Sequence, residues 1–265
     1  MDKRYAGSHR KPNRCFLIGF VAACLLGGFP VLTSHASEIE DPGLLEPEKV
    51  AMEFGFTFKR ESNDAEKVNT YSFPEPLIIY GLFPNLEIQA EAKGWIVLDP
   101  DGGKTTTHGS DFTLAGKFGL PIRGDGWVPE SAGFIVLSFP TGADEVTSDG
   151  VDPSFTYLAA WKLPHDLSLT ANIGFALPTN GSAASNRYFE YSTVINLGFP
   201  ISGKLSGFFE YFGSVASEGE ADPHSLDAGL GYEVNDNLAM EVAGGAGLNE
   251  AAADFFLNFL VAISF

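Results

Sequence analysis

The chain has 265 residues and 45% hydrophobic side chains, enough for one sizeable core, yet it carries an excess of 30 Gly and 23 Phe. Glycine weakens helix interiors and aromatics favour pleated surfaces, so this composition argues against a helical protein. Sixteen Lys and Arg against 34 Asp and Glu give a formal charge of −18, which excludes a phosphate-coating surface for nucleic acid.

The N-terminus carries Lys3, Arg4, Arg10, Lys11 and Arg14, then an apolar run from Cys15 to Leu32, then Ser34-His35-Ala36. A basic start, an apolar middle and a small-x-small site are the order of a secretory signal, so residues 1–36 are expected to be removed by cleavage after Ala36. Gly27, Gly28 and Pro30 interrupt the apolar run, against an uncleaved membrane helix. A rival reading is the tetrad Val21-Ala22-Ala23-Cys24, which resembles a bacterial lipoprotein box that would lipidate Cys24. Cleavage after Ala36 leaves 11 basic and 33 acidic side chains and a charge of −22, and removes both cysteines, Cys15 and Cys24. The mature chain therefore has no disulfide framework and no thiol nucleophile. A short N-terminal segment, 37–49, then precedes the patterned region, 50–265.

From residue 50 onwards the apolar residues alternate. Val50, Met52, Phe54, Phe56 and Phe58 are separated by small or polar residues, and Leu167, Leu169, Ala171, Ile173, Phe175 and Leu177 repeat the pattern. A β-strand points successive side chains to opposite faces, so each run is a strand with one apolar and one wet side. Twelve such runs are expected, near residues 50–60, 73–83, 86–98, 111–122, 130–142, 152–163, 167–178, 187–201, 204–213, 222–234, 238–248 and 254–265. Pro74 and Pro76 make the second irregular, so ten or fourteen strands stay open as alternatives.

The connectors sort into two ends. Pro84-Asn85, Arg123 to Pro129, Pro164-His165-Asp166, Ser202-Gly203 and Asn235-Asp236-Asn237 are mostly short turns, and the intervening loops, such as Glu61 to Tyr71 and Asp99 to Ser110, are mostly longer. An even strand count with turns at one end and loops at the other matches a bacterial outer-membrane barrel with its turns in the periplasm. In hydrocarbon every backbone N–H and C=O must be paired, so a sheet crosses a membrane only by closing on itself. The expected fold is a closed antiparallel transmembrane β-barrel in the outer membrane, in contact with lipid and lipopolysaccharide. The last strand ends on Phe265, which resembles the terminal strand read by the barrel-assembly machinery.

The segments Phe139-Pro140-Thr141-Gly142, Gly150-Val151-Asp152-Pro153-Ser154-Phe155 and Asn237-Leu238, followed by Gly247-Leu248-Asn249 and Asp254-Phe255-Phe256, resemble the family of outer-membrane transporters named for the MetA pathway of phenol degradation. Tyr80-Gly81-Leu82 with Asn85-Leu86-Glu87 adds to the resemblance, which covers roughly residues 73–265. It implies a channel for hydrophobic or aromatic small molecules.

On the wet face the alternation places carboxylates at Glu53, Glu87, Glu91, Glu190, Glu210, Asp227, Glu233 and Glu241, and lysines at Lys59, Lys93, Lys117 and Lys162. The loops add further acids, among them Asp64, Glu66, Asp99, Asp101, Glu218 and Glu220. An acidic lumen concentrates cations and repels anions, so a neutral or cationic solute is expected. Phe134, Val136, Leu158, Phe208 and Phe212 share the inward register and either form an apolar track for an aromatic solute or fill a narrow barrel. The charged residues likewise either line a path or neutralise one another within a side-chain-plugged structural barrel. Asp99-Pro100-Asp101-Gly102 lacks the further ligands of a calcium loop and reads as a turn, so no metal or cofactor is expected. The other function class is a lipid-modifying enzyme. Adjacent strand residues point apart, so His224 and Ser225 do not form a catalytic pair, and no catalytic motif is found.

Overall fold

The computed structural model describes residues 38–62, 67–122, 124, 126–179, 187–217 and 222–265. The expected signal segment 1–36, residue 37, and the loop acids Asp64, Glu66, Glu218 and Glu220 lie outside the described residues. The strands are β1 (Val50–Ser62), β2 (Lys67–Phe83), β3 (Leu86–Ala92), β4 (Trp95–Pro100), β5 (Thr106–Gly109), β6 (Phe112–Gly119), β7 (Glu130–Phe139), β8 (Asp152–Leu163), β9 (Leu167–Ala176), β10 (Glu190–Ser202), β11 (Leu205–Ala216), β12 (His224–Asn235), β13 (Leu238–Gly247) and β14 (Phe255–Ser264). All pairings are antiparallel, and β1 closes the circuit by pairing with both β14 and β2. Closure removes the edges that hydrocarbon would not solvate.

Fourteen strands make twelve staves, because two staves are broken. β2 pairs with β3 over Leu77↔Glu91 to Phe83↔Leu86 and with β4 over Val68↔Pro100 to Phe73↔Trp95. β3 pairs onward with β6 and β4 with β5, so β3–β4 is the third stave and β5–β6 the fourth. The break faces Pro74 and Pro76, which have no amide hydrogen for a ladder. At Gly94 the chain takes φ +66, and a Cβ there would run into the Pro74 carbonyl, so only glycine passes. The twelve expected strands are thus present, with two corrections. The loop expected over Glu61 to Tyr71 is mostly strand, since β1 and β2 stay paired out to Ser62↔Lys67. The loop expected over Asp99 to Ser110 is largely the β4–β5 hairpin, in which Asp99 accepts a 2.6 Å hydrogen bond from Thr105.

Strand length fits a membrane. Ten residues, as in β14, rise about 33 Å, or about 23 Å when tilted, close to the height of an outer-membrane apolar band. β14 also shows which face is which. Phe255, Leu257 and Phe259 are 40–42% exposed, whereas Phe256, Asn258, Leu260 and Ala262 between them are at most 8% exposed. Ile135, Phe209 and Leu230 continue the apolar outer belt on other staves. In water such a belt would be a large uncovered patch, and in lipid it is the solvated face.

Candidate functional site

The interior is organised by the segment ahead of β1, which folds into the lumen. Glu48 N–H donates to Gly81 O at 2.8 Å and Gly81 N–H to Lys49 O at 3.1 Å, pinning the segment to the end of β2 beside the short turns. A Cβ on Gly81 would collide with the Glu46 carbonyl, so glycine here permits the approach of the two backbones. Leu45 packs on the buried Ala51, Leu77 and Ile79 of the wall.

Further along, charge holds the segment. Lys117, on β6, is fully buried and donates to Glu40 Oε1 at 2.8 Å and to Asp41 O at 3.1 Å, and its ammonium lies 3.0 Å from Glu87 Oε1. Glu87 Oε2 accepts from Leu45 N–H at 2.6 Å, and Gln89 donates to Glu87 and Glu40 at 2.9 and 3.4 Å. A buried lysine is tolerated because two carboxylates and a carbonyl replace its water. Burial pushes the Asp41 carboxyl above the usual carboxylate range, opposed by the Gly43 amide and the Lys117 ammonium. The Glu38 amide then donates to Glu210 Oε1 at 2.6 Å, and Asn196 donates to Glu210 Oε2 at 3.0 Å. Lys117 stands on the fourth stave and Glu210, on β11, on the ninth, so within three residues the segment bridges nearly opposite walls.

Above this bridge, on the side of the longer loops, lies a cavity of about 580 Å³. Its floor is Glu38, Ile39 and Glu40. Hydroxyls of Thr57, Thr70, Ser72, Thr156, Ser192 and Ser214 line the wall together with Glu75, Glu91, Lys59 and Lys93. Lys93 lies 3.4 Å from Glu91, and Thr57 donates to Glu75 at 2.9 Å. Apolar surface comes from Ile96, Phe134, Val194 and Phe212, and Phe212 meets Phe256 edge to face with centroids 5.6 Å apart.

The sequence candidates therefore separate into groups. Glu91, Lys93 and Phe134 line the cavity. Glu87, Lys117 and Glu210 hold the N-terminal segment. Glu53 is buried at 0% exposure opposite Ala262 and Leu77, and Asp227 is buried beside its register partner Glu210. Phe208 packs with Ala243, Leu260 and Ala262, and Leu158 is fully buried, so both fill the wall rather than line the cavity. Glu241 is partly buried on β13, while Glu190 stands at the start of β10, away from the cavity lining. Glu233 and Lys162 are exposed near the short-turn end. Glu38, Glu40 and Gln89 escaped the sequence reading. His224 Nδ1 lies 2.8 Å from the Tyr211 hydroxyl, and Ser225 is buried on the other face. Among the described residues no group of His, Cys, Asp and Glu has the arrangement of a metal centre.

A sequence profile for the family described as "Putative MetA-pathway of phenol degradation" matches residues 44–265. The chain belongs to this family. The match includes part of the inward-folded segment as well as the whole barrel. Among solved structures, an outer membrane channel from Pseudomonas putida F1 aligns at a TM-score of 0.66 and 12% identity, over 86% of this chain and 100% of that one. The KdgM porin aligns at 0.52 and 10% identity over 81% and 99%, and the NanC porin at 0.52 and 9% over 82% and 98%. At these identities the likeness shows the fold, an outer-membrane-type β-barrel. No curated protein matches the chain.

Proposed function

We propose that the protein is an outer-membrane channel that admits small neutral or cationic solutes, aromatic ones included, to an outer vestibule and is closed towards the periplasm by its own N-terminal segment. The observation that carries this reading is the 580 Å³ cavity with a hydroxyl-lined wall and an acidic floor, Glu38 and Glu40, formed by a segment that is latched rather than threaded through the sheet. Ordinary structural barrels of this size fill their lumen with wall side chains; here a removable stretch of backbone does so. Membership of the transporter family and the resemblance in fold to a channel and two porins support the reading.

Uptake proceeds by diffusion down a gradient, since the sequence has no phosphate loop. Export with cleavage after Ala36 gives a mature chain that starts one residue before Glu38, and Phe265 presents the terminal strand to the assembly machinery. The test is current through planar bilayers under a salt gradient, with liposome swelling by neutral, aromatic and charged compounds. Cation-favouring current and swelling by small neutral solutes are expected; chloride-dominated current contradicts the reading. Mass spectrometry of the mature N-terminus reads Ser37 on this account, and an acylated Cys24 overturns it.

A further inference from the structure

Two lysines of the lumen are committed: Lys117 to Glu40 and Glu87, and Lys93 to Glu91. The pair Glu210 and Asp227, adjacent across β11 and β12, has no such cation among the described residues. The charges that bear on Glu210 are Asp227 and Glu38, and those that bear on Asp227 are Glu38 and Glu241. All are negative. Glu210 has its two oxygens satisfied by the Glu38 amide and Asn196. Asp227 does not: the residue is 6% exposed, and neither carboxylate oxygen has a hydrogen-bond partner among the described residues. Asn172 Oδ1, on the cavity wall, is a second buried acceptor without a partner.

Asp227 and Asn172 Oδ1 lack a donor, and Asp227 and Glu210 also lack a paired lysine or arginine among the described residues. A buried, unpaired carboxylate is costly until a cation or a proton joins it. Direct coordination of a metal ion needs three or more oxygens converging, which the described residues do not offer. An ammonium group needs only one or two carboxylates and a neutral acceptor, because its three N–H bonds are short-range donors around a single charge. Glu38 belongs both to the cavity floor and to the acidic group, so it connects the cavity to Asp227 and Glu210, which are buried and do not themselves line it.

We infer that Asp227 and Glu210, with Glu38 at the mouth, form a subsite for the ammonium group of a small organic amine, whose apolar part is left in the cavity beside Phe212. The inference rests on the reading of the cavity as a solute vestibule, and it narrows the solute class to primary amines. The site is occupied before the segment moves, so the amine is held at the closed floor.

The test is isothermal titration of the full mature protein in lipid nanodiscs with n-butylammonium chloride, in buffer free of alkali ions. Saturable binding is expected, weakened about tenfold or more by Asp227→Asn, as expected for loss of a charged hydrogen-bond acceptor. Glu210→Gln weakens it in the same direction, and heat-modifiable migration on gels shows that both variants keep the barrel. Neutral n-butanol gives no such isotherm. No binding, equal binding by Asp227→Asn, or displacement by potassium chloride as strong as by the amine itself overturns the subsite. So does a protonated-carboxyl infrared band at neutral pH that vanishes in Asp227→Asn, since a proton would then be the partner. Swelling by neutral solutes is recorded on the same preparation: flux without amine binding removes the subsite and keeps the channel, and amine binding without flux does the reverse.

Discussion

Replacing Lys117 with Met removes the ammonium that joins Glu40, Glu87 and the Asp41 carbonyl while keeping most of the side chain's volume. The lysine is 0% exposed, with carboxylates at 2.8 and 3.0 Å. Breaking a buried pair by deleting one partner costs roughly 3–5 kcal/mol, because the remaining charge is left uncompensated in low dielectric. Glu87 belongs to the wall and stays buried with or without the segment, but Glu40 escapes by leaving the lumen. The cost therefore falls on docking, and the open fraction should rise by about two to three and a half orders of magnitude from its starting value until it saturates. The ladder of β6 with β3 and β7 does not involve this side chain, so the barrel itself persists. Two assays read the outcome: single-channel conductance, and labelling of Leu44→Cys in a chain expressed as residues 37–265, where it is the one thiol. Larger, longer openings together with faster labelling are expected. Conductance and labelling equal to those of the parent in a folded Lys117→Met barrel would refute the latch.

Gly81→Val puts a Cβ against the Glu46 and Leu45 carbonyls and should likewise raise conductance in bilayers without shifting the denaturant midpoint of the barrel. Burial raises the Asp41 pKa, so the docked segment holds that proton more tightly than the free one. Through this group docking strengthens as pH falls through the window above the usual Asp range, and weakens as pH rises. Asp41→Asn should keep the segment docked at neutral pH and flatten that part of the pH profile of conductance; an unchanged profile contradicts it. On the outer face, Phe259→Arg should cost roughly 2–4 kcal/mol of folding stability in lipid, as charged residues do near the bilayer midplane, measured by urea titration in vesicles; a cost near zero would mean that Phe259 does not face lipid.

The barrel was legible because its driving pattern is local: period-two alternation fixes which side chains meet lipid, and turn residues mark the ends. The broken staves were not: the apolar positions change phase from Ile88, Ala90 and Ala92 to Trp95 and Val97 across Gly94, a change that a bulge within one strand would also give. The break is imposed by Pro74 and Pro76 on the neighbouring strand and by the left-handed turn at Gly94. Glu87, Lys117 and Glu210 are buried and bonded to the N-terminal segment, partners that strand alternation does not name. Glu40 meets Lys117 from 77 residues away and the Glu38 amide meets Glu210 from 172, and a short segment without alternation gives no local sign of where it folds. The hint was present in Glu38, Glu40 and Asp41 preceding Leu44-Leu45, acids and apolar residues together in a stretch too short for a domain. Glu190, Glu233 and Lys162 lie near strand ends, where alternation still assigns a face but no longer a place in the lumen.

The most direct measurement is the single-channel conductance of the mature protein beside that of the same chain without residues 37–48, which leaves the register from Val50 to Ser264 untouched. The account expects brief, small openings in the first and a steady, several-fold larger, cation-favouring current in the second. Equal conductance in two folded barrels would contradict it.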